Sequence, residues 1–194
     1  MNQTGSHANF LNSFSNISQD IREDLLKISE LKTVKAGKQI VKLGETPSKV
    51  FMLVSGIVRC YLSTESGKEY NKSFYMPLSF VGPLTALIQK TPSLFVFETL
   101  EDSEMYEVDY YKLTELCKKN ESLRTLYYRI LEVTYMMYEK RLVELISLDA
   151  KARYMELQKQ IPNVDALIPQ YHIASYLGIT AVQLSRIRKK IYGN

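Results

Sequence analysis

The chain has 194 residues, a formal net charge of +4, 45% hydrophobic and 24% charged residues, which suits one soluble domain or two small ones. No apolar run reaches the roughly 18 residues of a membrane-crossing helix, and the polar start MNQTGSHANF lacks the basic-then-apolar pattern of a signal peptide. Two cysteines, Cys60 and Cys117, with no CxxC, argue against a disulfide scaffold, a zinc finger or a cysteine-held iron–sulfur cluster.

These features predict a cytoplasmic protein with no cofactor and no metal. Residues 17–31, ISQDIREDLLKISEL, predict an amphipathic helix with Ser18 as N-cap and Ile21, Leu25 and Ile28 on one face. From 34 to 108 the pattern is strand-like. The runs 50–56, 57–63, 69–75, 95–101 and 105–109 are rich in Val, Ile, Phe and Tyr, and STESGKE (63–69) reads as a hairpin turn. Strands at this spacing predict a barrel or jelly roll. The period changes over 110–148, where Leu123, Tyr127, Ile130, Thr134, Met137 and Arg141 approximate a heptad stripe on a long helix. So apolar a helix must bury two faces, one on its own barrel and one on a second copy of itself. That stripe is the predicted dimerisation surface. The predicted organisation is 1–118 barrel with its preceding helix, 119–148 dimerisation helix, and 149–194 a compact helical unit, an α+β chain overall.

The last unit concentrates the charge. Residues 151–194 hold seven basic and two acidic residues, a net of +5, while the other 150 residues carry 18 basic and 19 acidic, a net of −1. Charge gathered on one small module is the footprint of nucleic-acid binding. Within it, QYHIASYLGITAVQLSRIRKKI fits a helix-turn-helix. Small Ala174 falls where two helices cross, Gly178 where the turn needs a positive φ, and Thr180 at the N-cap of the second helix. Ile173, Leu177, Ile179, Leu184 and Ile187 become its core. At 100° per residue, Val182, Ser185, Arg186 and Lys189 point outward, as a major-groove helix requires. The predicted DNA-facing set is Thr180, Ala181, Val182, Gln183, Ser185, Arg186, Arg188, Lys189 and Lys190. Arg186 suits a guanine edge, Ala181 and Val182 a thymine methyl, and Ser185, Arg188, Lys189 and Lys190 phosphates. His172, on the first helix, is predicted to be a surface side chain or a phosphate contact.

The chain resembles the cyclic-AMP receptor protein and fumarate–nitrate regulator (Crp/Fnr) family of bacterial transcription factors over roughly residues 15–192. The resemblance rests on Gly37, Gly44, LVSGIVRCY (53–61), ESGKE (65–69), FVG (80–82), ETLEDSEMYEV (98–108) and the helix-turn-helix. It implies a cyclic-nucleotide-binding-type β-roll, a long dimerisation helix and a C-terminal winged-helix-like DNA-binding domain. Only Tyr192, Gly193 and Asn194 follow the recognition helix, so the wing is predicted to be short or absent. The partners implied are double-stranded DNA with a near-palindromic operator, a second copy of the chain, RNA polymerase as a candidate, and for the roll an unknown small-molecule effector or none. The effector site departs from the family. A Gly-Glu pair that holds ribose reads Gly82-Pro83 here, and an Arg-Ser or Arg-Thr pair that holds the cyclic phosphate reads Ser93-Leu94. A buried phosphate without a cation is left unpaired, so no cyclic-AMP binding through this site is predicted. Gly82, Pro83, Leu84, Ser93, Leu94 and Phe95 form the degenerate pocket, with Leu84, Leu94 and Phe95 as side chains that could fill it.

Two other classes compete with this reading. An enzyme on a cupin-like roll needs several histidines on neighbouring strands, and the chain has two, His7 and His172, neither in the roll. Gly-rich phosphate loops, GxSxG and HExxH are missing, so no enzyme is predicted. The alternative is a ligand-binding or protein-docking module on the same fold that has lost specific DNA recognition, which Ala181 and Val182 keep open.

Overall fold

The structure is a computed structural model that describes residues 18–193; the N-terminal stretch with His7, and Asn194, lie outside the described residues. Helix α1 (Gln19–Lys27) carries Asp20 in its first turn and Lys27 in its last, both favourable to the helix dipole, and buries Ile21. Ser18 is the N-cap, without a side-chain hydrogen bond. The predicted helix to residue 31 is corrected here. The chain turns at Ile28, and Ser29–Val34 forms β1, paired antiparallel with β8 (Ser103–Asp109) from Ser29↔Val108 to Val34↔Ser103. Long-range pairing overrides the local helical period at this point.

The roll holds β1, β2 (Gln39–Val41), β3 (Lys49–Ser55), β4 (Val58–Ser63), β5 (Glu69–Tyr75), β6 (Phe80–Val81), β7 (Val96–Thr99) and β8. They form two antiparallel four-stranded sheets, ordered β1-β8-β3-β6 and β2-β7-β4-β5. Val41, Phe51, Leu53, Val58, Cys60, Val81, Phe97 and Met105 fill the space between them. Burial holds the Cys60 thiol protonated, with its pKa pushed up to about 12. The β3–β4 turn needs Gly56. Its φ is +92°, and a Cβ there would lie 2.8 Å from Ser103 Cα.

A short α2 (Leu84–Gln89) connects β6 to β7. After β8, α3 (Tyr110–Lys119) is capped by Asp109 and α4 (Glu121–Ser147) by Asn120, each accepting a backbone N–H three residues on. The predicted boundary at 118/119 falls in the last turn of α3. The first half of α4 belongs to its own protomer: Leu123 and Leu126 are buried with Ile21 and Cys117, and Tyr127 and Ile130 pack on them. The second half is different. Tyr135, Leu142 and Ile146 are 66%, 57% and 76% exposed. The C-terminal module comprises α5 (Ala150–Gln160), α6 (Val164–Leu167), α7 (Gln170–Leu177) and α8 (Ala181–Tyr192) around Tyr154, Leu157, Ile168, Ile173, Leu177 and Leu184. No helix among the described residues is long and apolar enough to cross a membrane.

Candidate nucleic-acid interface and effector groove

Helices α7 and α8 meet at Gly178, which is left-handed at φ +70° and closes α7 with its N–H on Ser175 O; Ile179 N–H then reaches Ala174 O at 3.0 Å. Thr180 starts α8 with a capping box: its hydroxyl accepts Gln183 N–H at 3.2 Å, and Gln183 Oε1 accepts Thr180 N–H at 2.8 Å. Gln170 Nε2 donates to Ala181 O at 3.0 Å, tying the starts of the two helices together. Leu184 is fully buried, and Ile187 and Ile191 pack on the same core.

Ala181, Val182, Ser185, Arg186, Lys189 and Lys190 share the exposed side. Two of the predicted DNA-facing residues, Thr180 and Gln183, are also exposed, but their side chains are engaged in the cap. Arg188 lies elsewhere. Its guanidinium is ion-paired to Asp165 and its Nε donates to Tyr154 Oη at 3.2 Å, while that hydroxyl donates to Asp165. Burial first, and the Asp165 hydrogen bond second, hold the Tyr154 phenol well above its ordinary pKa. Arg188 is thus a strut inside the module, not a free phosphate cation. Helix period alone could not show this, because Asp165 comes from a separate short helix.

His172 also departs from expectation. It is buried at 4% exposure, not on the surface. The face of α7 that carries it packs on β5, and its Nδ1 lies 3.1 Å from the Arg59 guanidinium. Burial first, then the Arg59 charge, push its pKa down to about 4. Nothing local in the sequence marks Arg59 as buried. A charged residue in VRCYL reads as a solvated outward side chain, but Glu69, Glu98 and the Tyr61 ring of the roll and His172 of α7 surround it.

The predicted dimerisation stripe is largely turned toward its own chain. Leu123 is buried, Tyr127 Oη is 3.1 Å from Tyr110 Oη, Ile130 packs beside Leu126, and Arg141 donates to Tyr176 O at 2.6 Å. Thr134 hydrogen-bonds Ile130 O at 2.7 Å within the helix, and Met137 is exposed. The apolar residues left outside follow a 3-4 spacing one position on: Tyr128, Leu131, Tyr135, Tyr138, Leu142 and Leu145, all exposed except half-buried Leu131. The inward contacts of 123, 127 and 130 with α1 and α3 leave the other stripe exposed, and sequence period could not rank the two.

In the roll, Gly82 is half-buried, Pro83 is buried as the residue before α2, and Leu84 begins that helix half-buried. Pro83 has no N–H to offer a ligand. Ser93 is buried and its hydroxyl is spent on its own turn, donating to Phe95 O at 2.7 Å. Leu94 is 68% exposed and fills nothing. The expectation that it sits at the phosphate position is corrected, because the Ser93 turn carries its side chain outward. Where the roll faces α4, Phe95, Lys72, Tyr75 and Tyr138 pack together. Lys72 is the extra residue of a bulge in β5, between Asn71↔Tyr61 and Ser73↔Cys60. Its ammonium lies 4.3 Å from the Phe95 ring centroid and 4.8 Å from that of Tyr138. Burial, and then Tyr138, push the Tyr75 phenol far above its ordinary pKa. An open surface groove of about 450 Å³ lies elsewhere, between α4 and α5, lined by Met136, Lys140, Val143 and Glu156.

A roll of two four-stranded sheets, a long helix and a helix-turn-helix define the class of the molecule: a cyclic-nucleotide-binding-type roll joined to a helix-turn-helix module. Residues 31–120 match the family model for the cyclic nucleotide-binding domain. Among curated proteins, the chain is similar to the anaerobic regulatory protein of Haemophilus influenzae (26% identity over 82% of this chain and 66% of that one) and to the transcriptional activator FnrA of Stutzerimonas stutzeri (23%, 90% and 75%). It therefore spans about two thirds to three quarters of their length. Among solved structures, FixK2 of Bradyrhizobium japonicum superposes with a TM-score of 0.73 at 16% identity over 86% of this chain and 85% of that one. The c-di-GMP responsive regulator CLP of Xanthomonas campestris gives 0.70 at 16% over 91% and 92%. Over most of its length the chain is thus similar to regulators of the Crp/Fnr type, and residues 31–120 form its cyclic nucleotide-binding-type domain.

Proposed function

We propose that the chain is a cytoplasmic, homodimeric, sequence-specific DNA-binding transcription regulator that does not respond to cyclic AMP through the family's usual site. The observation that carries this reading is the exposed face of α8, where Val182, Ser185, Arg186 and Lys189 stand together. A helix of this kind enters the major groove. Arg186 is the side chain suited to fork onto a guanine. Lys189 and Lys190 supply phosphate contacts, and Ser185 a neutral one. Dimerisation through Tyr135, Leu142 and Leu145 covers apolar surface that a lone chain leaves in water. RNA polymerase remains the candidate further partner of a DNA-bound regulator.

The reading is tested by fluorescence anisotropy with fragments of the DNA upstream of its own gene, over a salt series. Two lysines from each of two protomers give a log–log salt slope of about −4. Arg186→Ala is expected to weaken binding to the preferred fragment by about 1–3 kcal/mol and to flatten the preference between fragments. Equal, weak binding to all fragments would instead favour a docking module without specific recognition. In sedimentation at micromolar concentration the wild type runs as a dimer and Leu142→Glu as a monomer. A monomeric wild type sinks the dimer.

A further inference from the structure

The face of α7 turned away from α8 packs on β5, the edge strand of its sheet. An edge leaves backbone groups open, and here one side chain takes two of them. Asn71 N–H donates to Ser175 Oγ at 3.0 Å, and the Ser175 hydroxyl donates to Glu69 O at 2.9 Å. Beside it, Arg59 has a side chain only 5% exposed. It is held by Glu98 at 2.9 Å and Glu69 at 2.5 Å, and it donates to His172 Nδ1 at 3.1 Å. Asn71 Nδ2 lies 3.2 Å from the same nitrogen and 3.3 Å from His172 O. Both neighbours of Nδ1 are donors, so Nδ1 accepts and the imidazole proton sits on Nε2. From the other side, Arg141 of α4 lies 3.8 Å over the Tyr176 ring and donates to its carbonyl. Phe74 of β5 meets the same ring at 5.3 Å.

Helix α7 is thus gripped by the roll and by α4 through directional contacts. Apolar side chains would hold the same surfaces together at least as firmly as these buried charges. Asn71 Oδ1 is even buried without a partner. What a set of this kind supplies is one fixed orientation, since each hydrogen bond is met at a single placement of α7, whereas an apolar patch tolerates sliding.

We propose that Arg59, Asn71, His172 and Ser175 are positioning residues. They set the orientation of α8 relative to the exposed stripe of α4, and so the separation of the two recognition helices in a dimer. This rests on the DNA-binding reading above. The recognition face is exposed while the grip is closed, and the proposal takes this gripped form as the DNA-binding arrangement.

The test is the double variant Ser175→Ala with Asn71→Ala, in the full chain. Affinity is measured on a fragment with two half-sites and on one with a single half-site. Two linked contacts gain from each other only when their spacing matches the site. The expected result is a loss of about tenfold on the two-half-site fragment and little change on the single half-site. Ser175→Thr, which keeps the hydroxyl, retains wild-type binding. A merely structural defect would weaken both fragments alike, and that outcome overturns the proposal, as does tighter binding to the two-half-site fragment. Hydrogen exchange provides a readout without DNA. Amides of residues 170–177 and 69–75 exchange faster in the double variant while β3 and β8 keep their protection. If the wild type shows no specific DNA binding, the DNA reading fails separately. Unchanged protection of 170–177 in the double variant then overturns the grip as well.

Discussion

The helix-turn-helix and the side of the roll that faces α4 differ in what they leave open. In the helix-turn-helix, the turn glycine, the capping box and the buried Leu184 are all in place, and the outward face of α8 remains open and basic. Beside α4, the groove region of the roll is taken up by Lys72, Phe95, Tyr75 and Tyr138, which pack on one another. The roll stands because its sheets bury Leu53, Val58 and Phe97. None of that packing depends on what the groove binds. A fold is held by many interchangeable apolar contacts, whereas a ligand site is held by a few polar groups and changes with two or three residues.

The comparison is broken most forcefully from inside the module. Leu184 is fully buried where α7 and α8 cross. Leu184→Ala is expected to cost about 3 kcal/mol, as buried leucine truncations do. The loss should appear in urea unfolding as an early transition of the C-terminal module, with the roll melting at its usual midpoint. A single unshifted transition would mean that the module's core does not depend on this side chain.

Much of this division was legible in the residues. The strands 50–56, 57–63 and 69–75 correspond to β3, β4 and β5, because alternation with glycine punctuation is a local signal. The helix-turn-helix was legible for the same reason: Ala174, Gly178 and Thr180 fix one short motif. Contacts between distant segments were not. The first half of β1, residues 29–31, reads as helix, since the partners of this strand lie 69 to 79 positions away. The inward and outward stripes of α4 differ by one position and are both apolar, so only the packing of Leu123 and Ile130 against α1 and α3 separates them. Arg188 and His172 read as surface residues until Asp165 and Arg59 were placed beside them.

The contact between the two regions should respond to acid. His172 faces Arg59 of β4, Asn71 and Glu69 of β5 and, through Arg59, Glu98 of β7; Tyr171 stacks on it from its own helix. Its pKa falls from 6.5 to about 4 on folding. The unfolded chain therefore binds a proton near pH 6.5 while the folded chain resists until about pH 4. The neutral-imidazole contribution is complete above pH 6.5, is lost as pH falls towards 4, and changes no further below. Carboxylates such as Asp109 titrate lower in the same direction, so the useful quantity is the difference between wild type and His172→Gln. The urea midpoint of the wild type should fall more steeply than that of the variant between pH 6.5 and 4. Parallel curves would mean that His172 is not held neutral between the roll and α7.

The smallest change falls at Gly178. Its φ of +70° is the left-handed region, yet a Cβ built there meets no atom within 4 Å. A side chain at this turn therefore meets no steric clash, and its cost is conformational alone. Gly178→Ala is expected to destabilise the C-terminal module by about 1 kcal/mol, and Gly178→Asn by less, because asparagine tolerates the left-handed region better. Urea midpoints of the two variants check the ranking. If alanine costs as much here as Leu184→Ala does, the turn must be crowded by something beyond its own backbone. In a DNA-binding dimer that would be the second protomer or the DNA, and the excess should then depend on protein or DNA concentration.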